Sequence, residues 1–263
     1  MVESNPPQPH PIEKRFWRFD SLFSLTSLKD ALHTIRIQRE ESPETITSRG
    51  FNPLKQYRLH ARAEGYHALF SQKANENAKV FLRKAGGSFS IADFGHLNAT
   101  LELAEQSQVQ TKIVIYPYHA QILALFEAAG LWPFFESWKQ RVTHDLFAIQ
   151  QRFPNARVEL FDFSGYSTYA CERIPDKGDL TTDTRWYWEG GHFKKALGEI
   201  MLERISAEPS AASNKESVFG MKLEPHNWSE NQMRIAAERA SCLRDYPALF
   251  DDSANLVAAL RNR

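Results

Sequence analysis

Lys112-Ile113-Val114-Ile115-Tyr116-Pro117 is a short β-branched run stopped by proline, and its reading decides the fold. Branched and aromatic side chains favour a pleated strand, and proline cannot continue the ladder. The segment reads as a buried strand. A second run of this kind is Arg157-Val158-Glu159-Leu160-Phe161-Asp162-Phe163. Between them lie two helical patterns. Ile122, Leu125, Phe126 and Ala129 share one face and Gly130 closes it; Leu131, Phe134, Phe135, Trp138, Val142, Leu146 and Ile149 then run to Pro154. Strand, helices, strand is α/β grammar. Residues 113–116 and 157–162 are therefore expected as neighbouring parallel strands joined by one right-handed crossover.

Outward from this centre the chain reads mainly as helix. A first helix is expected from Ser27, with Asp30 at the capping-box position, burying Leu28, Ala31, Leu32 and Ile35. Residues 39–55 are charged and punctuated by Pro43, Gly50 and Pro53, so they read as loop. A second helix is expected over 59–82, broken near Ser71 and ended by Gly86-Gly87, and a third starts at Ser90 with Asp93. After the second strand come a loop over 164–189, a helix over 194–205, a polar linker over 207–217 and a tail helix from Ser229. The expected organisation is a disordered lead-in over 1–19, an α/β domain over 20–206, the linker, and a C-terminal helical extension over 218–263. Two clear strands are few for a core of this size. Either helical segments hide further strands, or a sheet-forming part lies outside the chain.

Composition narrows the function classes. The 263 residues are 42% hydrophobic and 24% charged, enough apolar material for a buried core. Lys plus Arg and Asp plus Glu are both 32, so no global field attracts nucleic acid or anionic lipid. No segment has the uninterrupted apolar length of a membrane span, and the polar, proline-rich N-terminus does not read as a signal peptide. Cys171 and Cys242 form no C-x-x-C pair and could make one bridge at most.

In parallel sheets function gathers at the C-terminal strand ends. Here those ends are Tyr116-Pro117-Tyr118-His119 and Asp162-Phe163-Ser164-Gly165-Tyr166. The densest cluster of reactive and aromatic residues is Arg185-Trp186-Tyr187-Trp188-Glu189-Gly190-Gly191-His192-Phe193. A carboxylate three residues before a histidine can hold the Nδ1 proton and leave Nε2 as a general base. An isolated E-x-x-H is more often accidental. His119, Asp162, Glu189 and His192 have metal-ligand chemistry, yet no H-x-x-x-H spacing supports a site, so neither metal nor cofactor is expected. The Trp132, Phe135 and Trp138 stripe is read as core packing.

Several short motifs occur in a characteristic order: Ile115-Tyr116-Pro117-Tyr118-His119-Ala120, then Gly130-Leu131-Trp132, Phe135-Glu136 and Trp138-Lys139. Asp162-Phe163-Ser164-Gly165-Tyr166, Glu172-Arg173-Ile174-Pro175 and Trp188-Glu189-x-x-His192-Phe193 follow. Across about residues 20–206 this resembles the C-terminal part of a bacterial SGNH (GDSL-type) hydrolase-like family. The resemblance implies a three-layer α/β/α, flavodoxin-like fold with a mainly parallel sheet. It implies hydrolysis or transfer of an acyl ester on a saccharide-type substrate, in an extracytoplasmic, membrane-anchored setting. His192 would be the base and Glu189 or Asp162 its orienter, with Trp188, His119 and Tyr118 facing substrate. Two departures stand out. Glu189 replaces the family's aspartate, and no Gly-Asp-Ser follows a strand: Gly178-Asp179-Leu180, Asp20-Ser21-Leu22 and Asp252-Ser253 all lack that context. The nucleophile is expected from a segment outside this chain, with little turnover of short acyl esters by the chain alone. The other reading is a non-catalytic α/β domain that binds a carbohydrate or a partner through the Trp186–Trp188 aromatics.

Overall fold

The computed structural model describes residues 24–37, 52, 54–85, 94–153, 157–206 and 219–262. The lead-in over 1–19, Asp20-Ser21-Leu22, the Gly86-Gly87 stop, the Ser90–Asp93 helix start and the linker over 207–217 lie outside them. The chain divides into two units, Met1–Lys55 and Gln56–Arg263.

In the first unit the described structure is helix α1 (Leu25–Ile37). It begins two residues before Ser27, because the Ser24 hydroxyl accepts the Ser27 N–H at 3.0 Å and acts as the cap. Leu28, Leu32 and Ile35 are more than half exposed, so the stripe expected to be buried is open.

The second unit is helix-rich around a small mixed sheet. Its elements are α2 (Lys55–Glu64), α3 (Tyr66–Ala85), α4 (Phe94–Gln106), β1 (Thr111–Ile115), α5 (Ala120–Ala128) and α6 (Trp132–Arg152). Then follow β2 (Val158–Asp162), β3 (Tyr187–Glu189), β4 (His192–Phe193), α7 (Lys195–Ser206), β5 (Met221–Lys222), α8 (Trp228–Asp245) and α9 (Pro247–Arg261). Strands β1 and β2 are parallel neighbours in register from Thr111 opposite Val158 to Ile115 opposite Asp162. That pairing was expected from their sequences. Strand β5 adds antiparallel to β2, giving the order β1-β2-β5.

Alternation along β2 divides the core. Val158 and Leu160, with Ile115, pack against Leu101 of α4 and Val142, Leu146 and Ile149 of α6. Phe161 and the following Phe163 pack against Tyr66, Leu69 and Phe70 of α3 and Leu197 and Met201 of α7. A period of two carries neighbouring side chains to opposite sheet faces, which is why one strand serves two clusters.

Three expectations are corrected. The helix expected over 59–82 breaks at Gly65, not Ser71. Gly65 has φ +79°, and a Cβ there would meet the Asp179 carbonyl oxygen at 2.5 Å. The loop over 164–189 ends in a strand, because β3 pairs antiparallel with β4; His192 thus sits on a strand edge ahead of α7. The tail is two helices split at Tyr246-Pro247, since proline favours the first helical turn and cannot continue the preceding one. Cys171 and Cys242 form a disulfide, Cα–Cα 5.9 Å, beside Ala120, Leu123, Tyr166 and Ile235. No helix among the described residues is long and apolar enough to cross a membrane.

Candidate active site

The segment after β1 is a jig for the turn between β3 and β4. The Tyr116 hydroxyl donates to the Gly191 carbonyl at 3.0 Å, and the His119 N–H donates to the Gly190 carbonyl at 3.1 Å. The Tyr187 hydroxyl donates back to the Pro117 carbonyl at 2.9 Å. A side chain on Gly190 would meet Ile122 of α5 at 2.8 Å, so glycine lets the turn approach this closely. The turn is thereby fastened beyond the C-terminal end of β1, where α/β proteins place their ligand sites.

The turn brings two of the sequence-selected residues together. A Glu189 carboxylate oxygen contacts His192 Nδ1 directly. The other oxygen accepts the Gly191 N–H at 2.7 Å, and Glu189 is 2% exposed. The carboxylate is thus held by main chain and by burial, while the imidazole is half-exposed. With Nδ1–H directed at the carboxylate, Nε2 is the basic nitrogen.

A residue that sequence reasoning missed completes the group. The Tyr57 hydroxyl of α2 lies 3.2 Å from His192 Nδ1 and hydrogen-bonds Glu189. Burial, then the Glu189 charge, raises the Tyr57 phenol above its ordinary value, so it stays protonated and donates. No local motif marks it, as the two residues are 135 positions apart. Tyr57 and Glu189 form part of the wall of a cavity of about 260 Å3, with Leu69, Gln72, Lys73 and Glu76 of α3.

The other selected residues go elsewhere. Asp162 does not orient His192: it is fully buried and its oxygens are occupied. One accepts Ser164 N–H at 2.8 Å and Ser164 hydroxyl at 2.5 Å. The other accepts Asn231 Nδ2 at 2.8 Å and Lys139 Nζ at 3.2 Å. Lys139, also fully buried, meets Glu136 at 2.8 Å, so Asp162 ties α6 and α8 to the end of β2. His119 is likewise buried rather than facing a cleft. Its Nδ1 accepts the Gln121 N–H at 3.1 Å as the cap of α5, and its Nε2 donates to the Glu172 carbonyl at 2.8 Å. Burial lowers its pKa to about 4, so it is neutral.

Tyr118 is half-buried and packs on Tyr116, ring centroids 4.9 Å apart. Trp188 is also half-buried, stacked on Tyr66 at 6.3 Å and tilted against Tyr57 at 6.4 Å, with Lys194 Nζ 4.5 Å from its ring. It remains beside the Glu189–His192 pair, whereas Tyr187 is wholly buried. Glu172, quoted in the sequence only as part of a loop motif, has a role that the motif did not indicate. Its carboxylate accepts the N–H groups of Arg185, Trp186 and Tyr187, fixing the entry into β3. Burial raises its pKa, and those three amides partly offset that.

Among the described residues no group of three metal-ligating side chains converges, and no serine is among the partners of His192. No family model matches the sequence, and no curated protein or solved structure is detectably similar to it.

Proposed function

We propose that the second unit is an SGNH-hydrolase-like domain that acts on acyl esters of a saccharide-type substrate, with Glu189 and His192 as its base. The carrying observation is the contact of a buried carboxylate with His192 Nδ1, on a turn fastened beyond β1. In this reading Nε2 takes the proton of a hydroxyl as its oxygen attacks the ester carbonyl. The imidazolium, held by Glu189, returns that proton to the departing alkoxide. The hydroxyl that donates to Nε2 is one that the described residues do not place there.

Helices that pack with both faces of β2 support the three-layer architecture of this reading. The disulfide supports an extracytoplasmic setting, because such bonds persist in oxidising compartments. Trp188, half-buried beside His192, favours a second reading in which the aromatic cluster holds a carbohydrate or a partner without chemistry.

Turnover of 4-nitrophenyl acetate and of glucose pentaacetate, with and without added hydroxylamine, tests the base. The chain alone is expected near background. Hydroxylamine is expected to raise the rate, and His192→Ala to lower that assisted rate by about 100-fold, the usual weight of a positioned base. Equal assisted rates in both proteins would remove the enzymatic reading and leave the binding one.

A further inference from the structure

One amine and two carboxyl groups meet where α6 packs on the end of β2. Lys139 of α6, Asp162 of β2 and Asn231 of α8 are all fully buried. Lys139 Nζ lies 3.2 Å from Asp162 Oδ2 and 2.8 Å from Oε1 of Glu136, three residues earlier on the same helix. The Phe135 and Trp132 ring centroids stand 4.9 and 5.9 Å from Nζ, so the surroundings are aromatic.

We propose that Lys139 and Asp162 condense within the folded chain into an isopeptide bond, with Glu136 carrying the protons. The inference is independent of reading Glu189 and His192 as a base. Three features favour the reaction over a lasting ion pair. First, burial makes each charge costly, and an amide removes both at once. Secondly, Asp162 is arranged as an electrophile. Its Oδ1 accepts the Ser164 N–H at 2.8 Å and the Ser164 hydroxyl at 2.5 Å, two donors placed where negative charge gathers as an amine adds to Cγ. Asn231 Nδ2 holds the other oxygen, Oδ2, at 2.8 Å on the side of the amine. Thirdly, a proton carrier touches the nucleophile. Glu136 Oε1 is buried and accepts no hydrogen bond besides its ion-pair contact with Lys139, which leaves it open to a proton.

The step balances without a co-reactant. Glu136 takes a proton from the Lys139 ammonium and passes it to Asp162 Oδ2, so amine and acid are both neutral. The Nζ lone pair then forms the bond to Cγ, and the carbonyl electron pair moves onto Oδ1 between the Ser164 donors. Its return breaks the Cγ–Oδ2 bond. Oδ2 leaves as water with a second proton from Nζ, again carried by Glu136, which ends as it began. Nothing is oxidised or reduced. The partners are 23 positions apart, so the bond forms only after α6 has docked on β2, and it then ties the two covalently.

Mass spectrometry of the full chain, reduced to open the disulfide, tests the bond. The folded protein is expected to be lighter by one water than its sequence requires. Trypsin is expected to leave a branched peptide joining Lys139 to Asp162, uncut after Lys139. Lys139→Arg and Glu136→Gln are each expected to show the full sequence mass; the second keeps amine and aspartate and removes only the proton carrier. If neither variant folds, the branched peptide of the wild-type chain decides. The full sequence mass after long incubation at neutral pH would overturn the proposal. So would a water loss that persists in Lys139→Arg, or loss of ammonia in place of water, which moves the link to Asn231. A branch that still forms in Glu136→Gln would overturn the part given to Glu136.

Discussion

Glu172 and His119 are joined through main chain and side chain at once. The Glu172 carbonyl accepts His119 Nε2–H at 2.8 Å, while its own carboxylate holds the amides of Trp186 and Tyr187 at 3.0 and 3.1 Å. One residue thus links the cap of α5 to the entry of β3. Because His119 also holds Gly190 through its N–H, both ends of the β3–β4 region are referred to the same two residues.

Glu172→Ala removes the acceptor of several partly buried amides and is expected to cost about 2–4 kcal/mol in urea unfolding. Its more telling effect is local. The downfield Nδ1 proton of His192 should disappear from the 1H NMR spectrum of the folded variant, because the Glu189 turn loses its anchor. Persistence of that resonance would show that β3 is held without Glu172.

Acid should weaken the fold through His119. Its folded pKa is about 4, below the ordinary 6.5, so the unfolded chain binds the extra proton between those values. Stability contributed by the neutral ring is therefore present above about pH 6.5 and lost as pH falls towards 4. The loss amounts to about 3 kcal/mol. Glu172 acts in the opposite sense, since burial raises its pKa and its contribution declines as pH rises. The difference between wild type and His119→Gln isolates the histidine: the variant should lack this part of the slope. Parallel profiles from pH 4 to 7 would refute the assignment.

Reduction of Cys171–Cys242 releases a loop spanning 71 positions. Loop-closure entropy puts the stabilisation at about 4 kcal/mol. Dithiothreitol, or a Cys171→Ala/Cys242→Ala double variant, should lower the melting temperature by about 10 °C. A change below about 2 °C would mean that packing around Tyr166 and Ile235 already holds the two ends.

Lys139→Met leaves Asp162 buried without its cation, a change expected to cost about 3–5 kcal/mol. Adding Asp162→Asn removes the stranded charge, so the double variant should recover part of that loss. If the two substitutions simply add in chemical denaturation, the pair is not coupled as the geometry indicates.

The parallel pair was legible because β1 and β2 carry their own signal: short runs rich in β-branched and aromatic residues with helical periods between them. Glu189 and His192 were legible for a similar reason, as a short turn is local in sequence. Tyr57 and Glu172 were not, since each reaches its partners through distant backbone groups that leave no spacing pattern. Strand β5 escaped notice because two residues, Met221 and Lys222, hold too little alternation to announce a strand. Asp162 and His119 looked reactive at strand ends, and only burial and full hydrogen-bond occupancy give them structural roles.

The partner of β2 on its far edge is β5, which follows it by roughly sixty residues. On a ribosome adding about 5–20 residues per second, that edge stays open for about 3–12 s. The exposed sequence, Val-Glu-Leu-Phe-Asp-Phe from 158 to 163, is rich in aliphatic and aromatic residues and offers an open edge for pairing with another chain. Nascent copies of this protein therefore pass through a window of aggregation risk, closed when Met221 and Lys222 arrive. Holdase chaperones that cover a strand edge should raise its soluble yield more than agents that catalyse disulfide exchange.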